Sequence, residues 1–180
     1  MSQTLSGPAL VDQLIRTVPD FPKPGVEFYD IAPVLASPDG LAAAMHELAA
    51  SCSEPVDAVV GMEARGFIVG APVAVALGCG FVPVRKPGKL PGPVLSHSYS
   101  LEYGQETLAM QRDALQPGSR VLLVDDVLAT GGTIGATAAL VGALGATVVA
   151  VSVLMELSFL GGRRRLTEAG LAELHAVVTR

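Results

Sequence analysis

The segment Val121-Leu122-Leu123-Val124-Asp125-Asp126-Val127-Leu128-Ala129-Thr130-Gly131-Gly132-Thr133 decides how this chain is read. Arg120 to Val124 predicts a five-residue strand that ends at two aspartates. A loop of small and hydroxyl residues follows, and the Ala/Leu-rich run from Ala138 to Leu144 predicts a helix behind it. In open α/β sheets, ligands bind beyond the carboxyl ends of the strands. A Gly-rich turn entering a helix presents backbone N–H groups and the positive end of the helix dipole, which together hold an anion. Thr130 and Thr133 add hydroxyl donors. Paired carboxylates would repel a phosphate, but they accept hydrogen bonds from the hydroxyls of a sugar that carries one. The segment therefore reads as a cradle for a ribose 5-phosphate, with Asp125 and Asp126 on the sugar and Ala129, Thr130, Gly131, Gly132 and Thr133 around the phosphate.

Outward from this segment, strands and helices alternate. Leu10, Val11, Leu14, Ile15 and Val18 recur at helical spacing until Pro19. Phe21-Pro22-Lys23-Pro24-Gly25 is a stiff loop that cannot be helix. Ser37-Pro38 predicts a helix start, cap then proline at the first position, with Leu41, Met45 and Leu48 inward. Val56 to Met62 predicts a buried strand, Phe67 to Leu77 a helix stopped by Gly78, and Phe81 to Arg85 another strand. Pro72 falls in the first turn of that helix or kinks it. Lys86 to Ser96, rich in Pro and Gly, reads as a long mobile loop. Tyr99 to Tyr103 and Glu106 to Met110 fit a hairpin across Gly104-Gln105. Pro117-Gly118 turns the chain into the deciding strand, and Thr147 to Met155 predicts a last buried strand. The alternation argues an α/β fold, a central mostly parallel sheet flanked by helices, in one domain over residues 1–180.

Half of the 180 residues are apolar, 16% are charged and the formal net charge is −5. That composition supports a core and makes the chain a poor general binder of nucleic acid or an anionic membrane. The charge is uneven. No Asp or Glu occurs from Ala64 to Leu101, where Arg65, Arg85, Lys86 and Lys89 stand, so this stretch is suited to receive an anion. The uncharged run from Val127 to Met155 is long enough to raise a membrane span, but its glycines, its threonines and its change from helix-like to strand-like pattern argue a helix followed by a buried strand. Met1 to Leu14 lacks the basic and apolar regions of a signal peptide. Cys52 and Cys79 have no pairing or metal spacing and fit a reducing cytoplasm. There is no P-loop, no G-x-G-x-x-G after a strand, no second His after His46-Glu47 and no G-x-S-x-G. His46, His97 and His175 are scattered.

The deciding segment resembles the phosphoribosyl diphosphate signature of type I phosphoribosyltransferases, and the whole chain is similar to the adenine-using members of that family. The similarity is carried in order by Phe21 to Ile31, Gly61-Met62-Glu63-Ala64-Arg65-Gly66-Phe67, Val84 to Pro91, Tyr99 to Gly104 and Val124 to Thr133, with a weaker stretch from Glu156 to Arg163. The resemblance implies the type I phosphoribosyltransferase fold with a small N-terminal hood, approximately residues 19–36, and a flexible catalytic loop, approximately residues 86–105. It implies a purine-salvage reaction that joins adenine to phosphoribosyl diphosphate and gives AMP and diphosphate. It also implies Mg²⁺, carried mainly by the substrate diphosphate rather than by protein ligands, small-molecule partners and a homodimer.

Residue by residue, the resemblance puts Arg65 on diphosphate as a catalytic group, with Arg85, Lys86 and Lys89 lining or closing over the same group. Glu102 matches the glutamate that handles the purine proton, and Tyr103 stands where it would gate the site. Phe28 and Leu157 would sandwich adenine, and the backbone of Glu27 and Tyr29 would read its N1/N6 edge. The peptide bond Glu63-Ala64 is expected to be cis. The rival readings are a phosphoribosyltransferase for an oxopurine and a non-catalytic regulator that binds the same ligands. The second would need a DNA-binding segment for which this acidic chain has little room.

Overall fold

Two periodicities build the fold, and they are resolved in a computed structural model that describes residues 7–101, 104–171 and 173–180. The strands are β1 (Arg16–Pro19), β2 (Glu27–Asp30), β3 (Ala58–Met62), β4 (Gly80–Val84), β5 (Val94–Leu101), β6 (Gly104–Gln111), β7 (Arg120–Leu128), β8 (Thr147–Glu156) and β9 (Leu174–Thr179). The helices are α1 (Gly7–Leu14), α2 (Ala32–Ala36), α3 (Pro38–Ala50), α4 (Arg65–Leu77), α5 (Gly132–Ala143) and α6 (Gly162–Glu168). A central sheet of order β4-β3-β7-β8-β9 is parallel throughout. Alternate side chains of its strands enter opposite layers, as the two-residue repeat of a strand requires. Val60, Val121, Leu123 and Val153 pack towards α5 and the β5–β6 hairpin. Val59, Leu122, Val124 and Leu154 pack towards α1, α3 and α4. With both faces covered, β7 is continuously apolar from Val121 to Val124 and β8 from Val148 to Met155 except at Ser152.

Local signals set several boundaries. Ser37 caps α3, its Oγ accepting from Gly40 N at 3.1 Å, and Pro38 takes the first position where its missing N–H costs nothing. The core face of α3 is Gly40, Ala44 and Leu48, with Leu41 and Met45 half-buried beside it. Gly78 closes α4 at φ 69°, a left-handed conformation that suits glycine. Pro72 lies in the interior of α4 rather than its first turn, on the solvent side, where the carbonyl it leaves unpaired can meet water.

Elsewhere tertiary pairing overrides the sequence pattern. The first helix ends at Leu14, because β-branched Thr17 and Val18 join β1, whose antiparallel register pairs Arg16 with Asp30 and Val18 with Phe28. β1 and β2 thus form a two-stranded sheet of their own, followed by the short helix α2. β7 does not stop at the aspartates: its pairing with β8 continues to Leu128 opposite Glu156. The Pro/Gly loop ends at Pro93, and β5 starts at Val94, making a longer hairpin with Leu101 opposite Gly104. The end of the chain, which carries no sequence motif after Leu166, completes α6 and adds the edge strand β9, whose Val177 and Val178 pack into the core. No helix among the described residues is long and apolar enough to cross a membrane.

Candidate active site

The carboxyl ends of β3, β4, β7 and β8 lie along one edge of the sheet, and Arg65, Arg85, Asp125, Asp126 and Leu157 stand at or just beyond them. β7 delivers Asp125 and Asp126, which are 9% and 5% exposed. Asp125 Oδ1 accepts from Asp126 N at 2.9 Å. It can stand so close to α4 because Gly66 has no side chain: a Cβ there would lie 2.7 Å from Asp125 Oδ1. Burial, reinforced by the Asp126 charge, holds the Asp125 carboxyl well above the usual aspartate range. Burial also raises Asp126, with the Arg65 guanidinium acting against it. Arg65 Nε lies 2.8 Å from Asp126 Oδ2. The contact is an ion pair without an aligned hydrogen bond, and it leaves buried Oδ2 paired in charge but short of a hydrogen-bond donor. The peptide Glu63-Ala64, just before Arg65, is cis.

Beyond β7, Ala129 to Thr133 wrap a cavity of about 60 Å³ that opens α5. Gly131 sits at φ 77° and Gly132 begins the helix, so the loop turns sharply into the start of α5, where the first N–H groups of a helix have no partner within it. The loop is backed by the turn after β8. A Cβ on Gly162 would fall 2.2 Å from Ala129 O, and one on Gly131 would fall 3.1 Å from Gly162 O.

The cations of the acid-free segment do not stand unpaired. Glu63, one residue before that segment, accepts from Arg85 Nε at 2.9 Å and Lys89 Nζ at 3.2 Å. Burial works to raise the Glu63 pKa, but the two cations outweigh it and the carboxyl is held below its usual value. Glu106 of β6 accepts from Lys86 Nζ at 3.2 Å and from Tyr99 OH at 2.9 Å, and those bonds lower its pKa. Tyr99 OH also stands 3.1 Å from Thr133 Oγ1, which ties the hairpin to the phosphate loop. Arg85 anchors the same hairpin through paired backbone bonds with Ala109. Glu102 and Tyr103 lie outside the described residues, between the paired ends Leu101 and Gly104.

Phe28 is half-buried, its ring edge-on to Phe21 at 5.0 Å between centroids. Tyr29 OH donates to Glu27 Oε2 at 2.7 Å, and that bond raises the Tyr29 pKa. Leu157, half-buried, leaves β8 with its N–H on Leu128 O at 2.9 Å. Among the described residues, no three His, Cys, Asp or Glu side chains gather as a metal site.

Sequence reasoning missed several parts of this site. Gly66 and Gly162 matter through close approach, which no local pattern announces. Glu63 and Glu106 fell outside the acid-free segment and were not connected to it. Glu156, 4% exposed, forms a fork with Arg163 (Nε to both carboxylate oxygens at 3.0 Å) that fixes the turn behind the phosphate loop. Both partners are the ends of the weaker stretch from Glu156 to Arg163, but nothing local in that stretch pairs them.

Residues 28–168 match the phosphoribosyl transferase domain family. The adenine phosphoribosyltransferase of Cutibacterium acnes is 62% identical over 170 residues, 94% of this chain and 96% of that one. The crystal structure of adenine phosphoribosyltransferase from Thermoanaerobacter pseudethanolicus superposes with a TM-score of 0.90 at 45% identity, covering 96% of this chain and 99% of that one. The APRTase of Giardia lamblia complexed with 9-deazaadenine gives a TM-score of 0.90 at 40% identity over 98% and 99% of the two chains.

Proposed function

The chain belongs to the phosphoribosyl transferase family, and on that premise we propose that it transfers the 5-phosphoribosyl group of phosphoribosyl diphosphate to N9 of adenine, giving AMP and diphosphate. In this reaction the C1′–oxygen bond to diphosphate breaks, the leaving group takes the electron pair, and N9 forms the new bond to C1′. The observation that carries the reading is the pair of carboxylate acceptors Asp125 and Asp126 on β7, followed closely in the chain by the glycine turn that opens α5 around a small cavity. A ribose hydroxyl supplies the donor while its 5-phosphate takes the loop. The similarity to adenine phosphoribosyltransferases, one of them complexed with 9-deazaadenine, supports adenine as the base.

In this assignment Asp125 and Asp126 hold the sugar. Arg65, Arg85, Lys86 and Lys89 exchange their carboxylate partners for diphosphate oxygens, which stabilises charge developing on the leaving group. Phe28 and Leu157 enclose adenine, and the backbone of Glu27 and Tyr29 reads its edge. Glu102 accepts the N9 proton, and Tyr103 closes with the hairpin, a lid that keeps water from the cationic sugar. Mg²⁺ would arrive on the diphosphate and neutralise part of its charge.

The working form is a cytoplasmic homodimer. Ile68 and Val75, 48% and 81% exposed, share one face of α4 with exposed Pro72, an apolar stripe that a second copy would cover. The test of function is direct. The protein is mixed with Mg²⁺, phosphoribosyl diphosphate and adenine, hypoxanthine or xanthine in turn. AMP and diphosphate are expected from adenine, and no nucleotide from adenine would defeat the proposal.

A further inference from the structure

Arg180, beyond β9, joins the elements that shape the proposed adenine slot. Its N–H donates to Glu156 O at 2.9 Å, and its main-chain oxygen accepts from Ser158 N at 3.0 Å and Ser158 Oγ at 2.6 Å. Ser158 directly follows Leu157, one proposed wall of the slot. The Arg180 guanidinium stands 5.5 Å from the centre of the Tyr29 ring, on the hood side of the slot. Its Nη1 lies 2.5 Å from Asp12 Oδ1 on α1, which fixes the guanidinium from a third direction.

The hood needs such a tie. β2 pairs with β1 in a two-stranded sheet separate from the parallel one, so no backbone ladder sets its distance from Leu157. That distance depends on side-chain packing, in which Tyr29 and Leu157 join the same apolar cluster, and on Arg180. The Arg180 side chain is only 23% exposed, so its contacts with Tyr29 and Asp12 are less weakened by solvent than those of a free surface arginine. Tyr29 OH in turn bonds Glu27, which links both residues whose backbone groups would face the base.

We propose that Arg180 is a positioning residue for the purine, holding the hood strand and the Leu157 turn at the spacing one flat base requires. The inference rests on the proposed function. Among the described residues, its hydrogen bonds and ion pair go to Glu156, Ser158 and Asp12, none of them in the proposed sugar-phosphate or diphosphate sites. Its side chain goes to Tyr29 and Asp12, so truncating it bears on the adenine side of the site.

Initial-rate kinetics separate this role from a merely structural one. Arg180→Ala raises KM for adenine at least about fivefold and leaves KM for phosphoribosyl diphosphate within about twofold of wild type. Arg180→Lys, which keeps a cation near Tyr29 and Asp12, recovers most of the loss. An unchanged adenine KM, or an equal rise in both constants, overturns the proposal. Should Arg180→Ala fail to fold, Ser158→Ala removes one bond of the same tie, and a smaller rise confined to adenine KM is expected; no rise overturns the proposal. If the wild-type protein makes no AMP, the function fails on its own terms. Calorimetric binding of adenine to wild type and Arg180→Ala then decides the positioning role, and equal affinity overturns it.

Discussion

Arg65 and Asp126 hold each other across the edge between β3 and β7, with Nε 2.8 Å from Oδ2. One is the proposed diphosphate cation and the other the proposed sugar acid. Without substrate each keeps the other oriented, and on binding each acquires its own ligand.

Truncating that acid tests the sugar site. Asp126→Ala is expected to lower kcat/KM at least about tenfold, equivalent to ~1.4 kcal/mol of transition-state stabilisation. Glu102→Ala is expected to do the same, with the loss in kcat, because a proton acceptor acts in the chemical step. Initial rates with adenine check both variants, and wild-type turnover in either one removes its assigned role.

The buried acid pair predicts a pH dependence of stability. Burial and the Asp126 charge raise the Asp125 pKa well above normal in the folded protein. The folded state then binds more protons than the unfolded chain between the ordinary aspartate pKa and the raised one, so stability falls as pH rises through that window. Asp125→Asn removes this titration and relieves Asp126. Thermal melts from acid to neutral pH should show a shallower fall in Tm for Asp125→Asn, together with reduced activity. Parallel profiles for the two proteins would count against the buried, proton-retaining pair.

Gly162 predicts a defect transmitted through the backbone. Its missing Cβ would lie 2.2 Å from Ala129 O, so Gly162→Ala must push the phosphate loop or its own turn aside. The overpacking is expected to cost about 1–3 kcal/mol of stability. A displaced cradle should raise KM for phosphoribosyl diphosphate by about tenfold, since small misplacements of a binding group are costly. Steady-state kinetics well below the melting temperature check this, and an unchanged KM would show that the loop tolerates the shift.

Lys86 separates function from stability. Its pair with Glu106 is solvent-accessible, with side chains 54% and 38% exposed, and such pairs contribute about 0–1 kcal/mol. Lys86→Ala should leave Tm nearly unchanged and raise KM for phosphoribosyl diphosphate several-fold. A large Tm loss with normal KM would recast Lys86 as a structural anchor for the hairpin.

Much of the fold was legible because its signals are local. Val121 to Val124, followed by the glycine turn, specifies strand, loop and helix from neighbouring residues alone. The Ser37-Pro38 cap and the Gly78 stop did the same for their helices. Errors arose where a distant partner outweighed local preference. Thr17 and Val18 left a helical pattern to pair with β2, and β7 continued through two aspartates because β8 offered a ladder on that side.

By itself the sequence determined which chemistry-bearing residues exist and on which short element each lies: Arg65 before a helix, two acids on an apolar strand, and hydroxyls in a glycine turn. Hydrophobic period, caps and turn residues act over a few positions, so they are written in the order of the chain. Only the tertiary structure decided the partners. The order β4-β3-β7-β8-β9 brings Arg65 to Asp126, closes Gly162 onto Ala129 and carries Arg180 to Tyr29. Those relations depend on how strands stack and how deeply each group is buried. An ion pair or a close contact forms wherever packing places two groups together, whatever their separation in sequence.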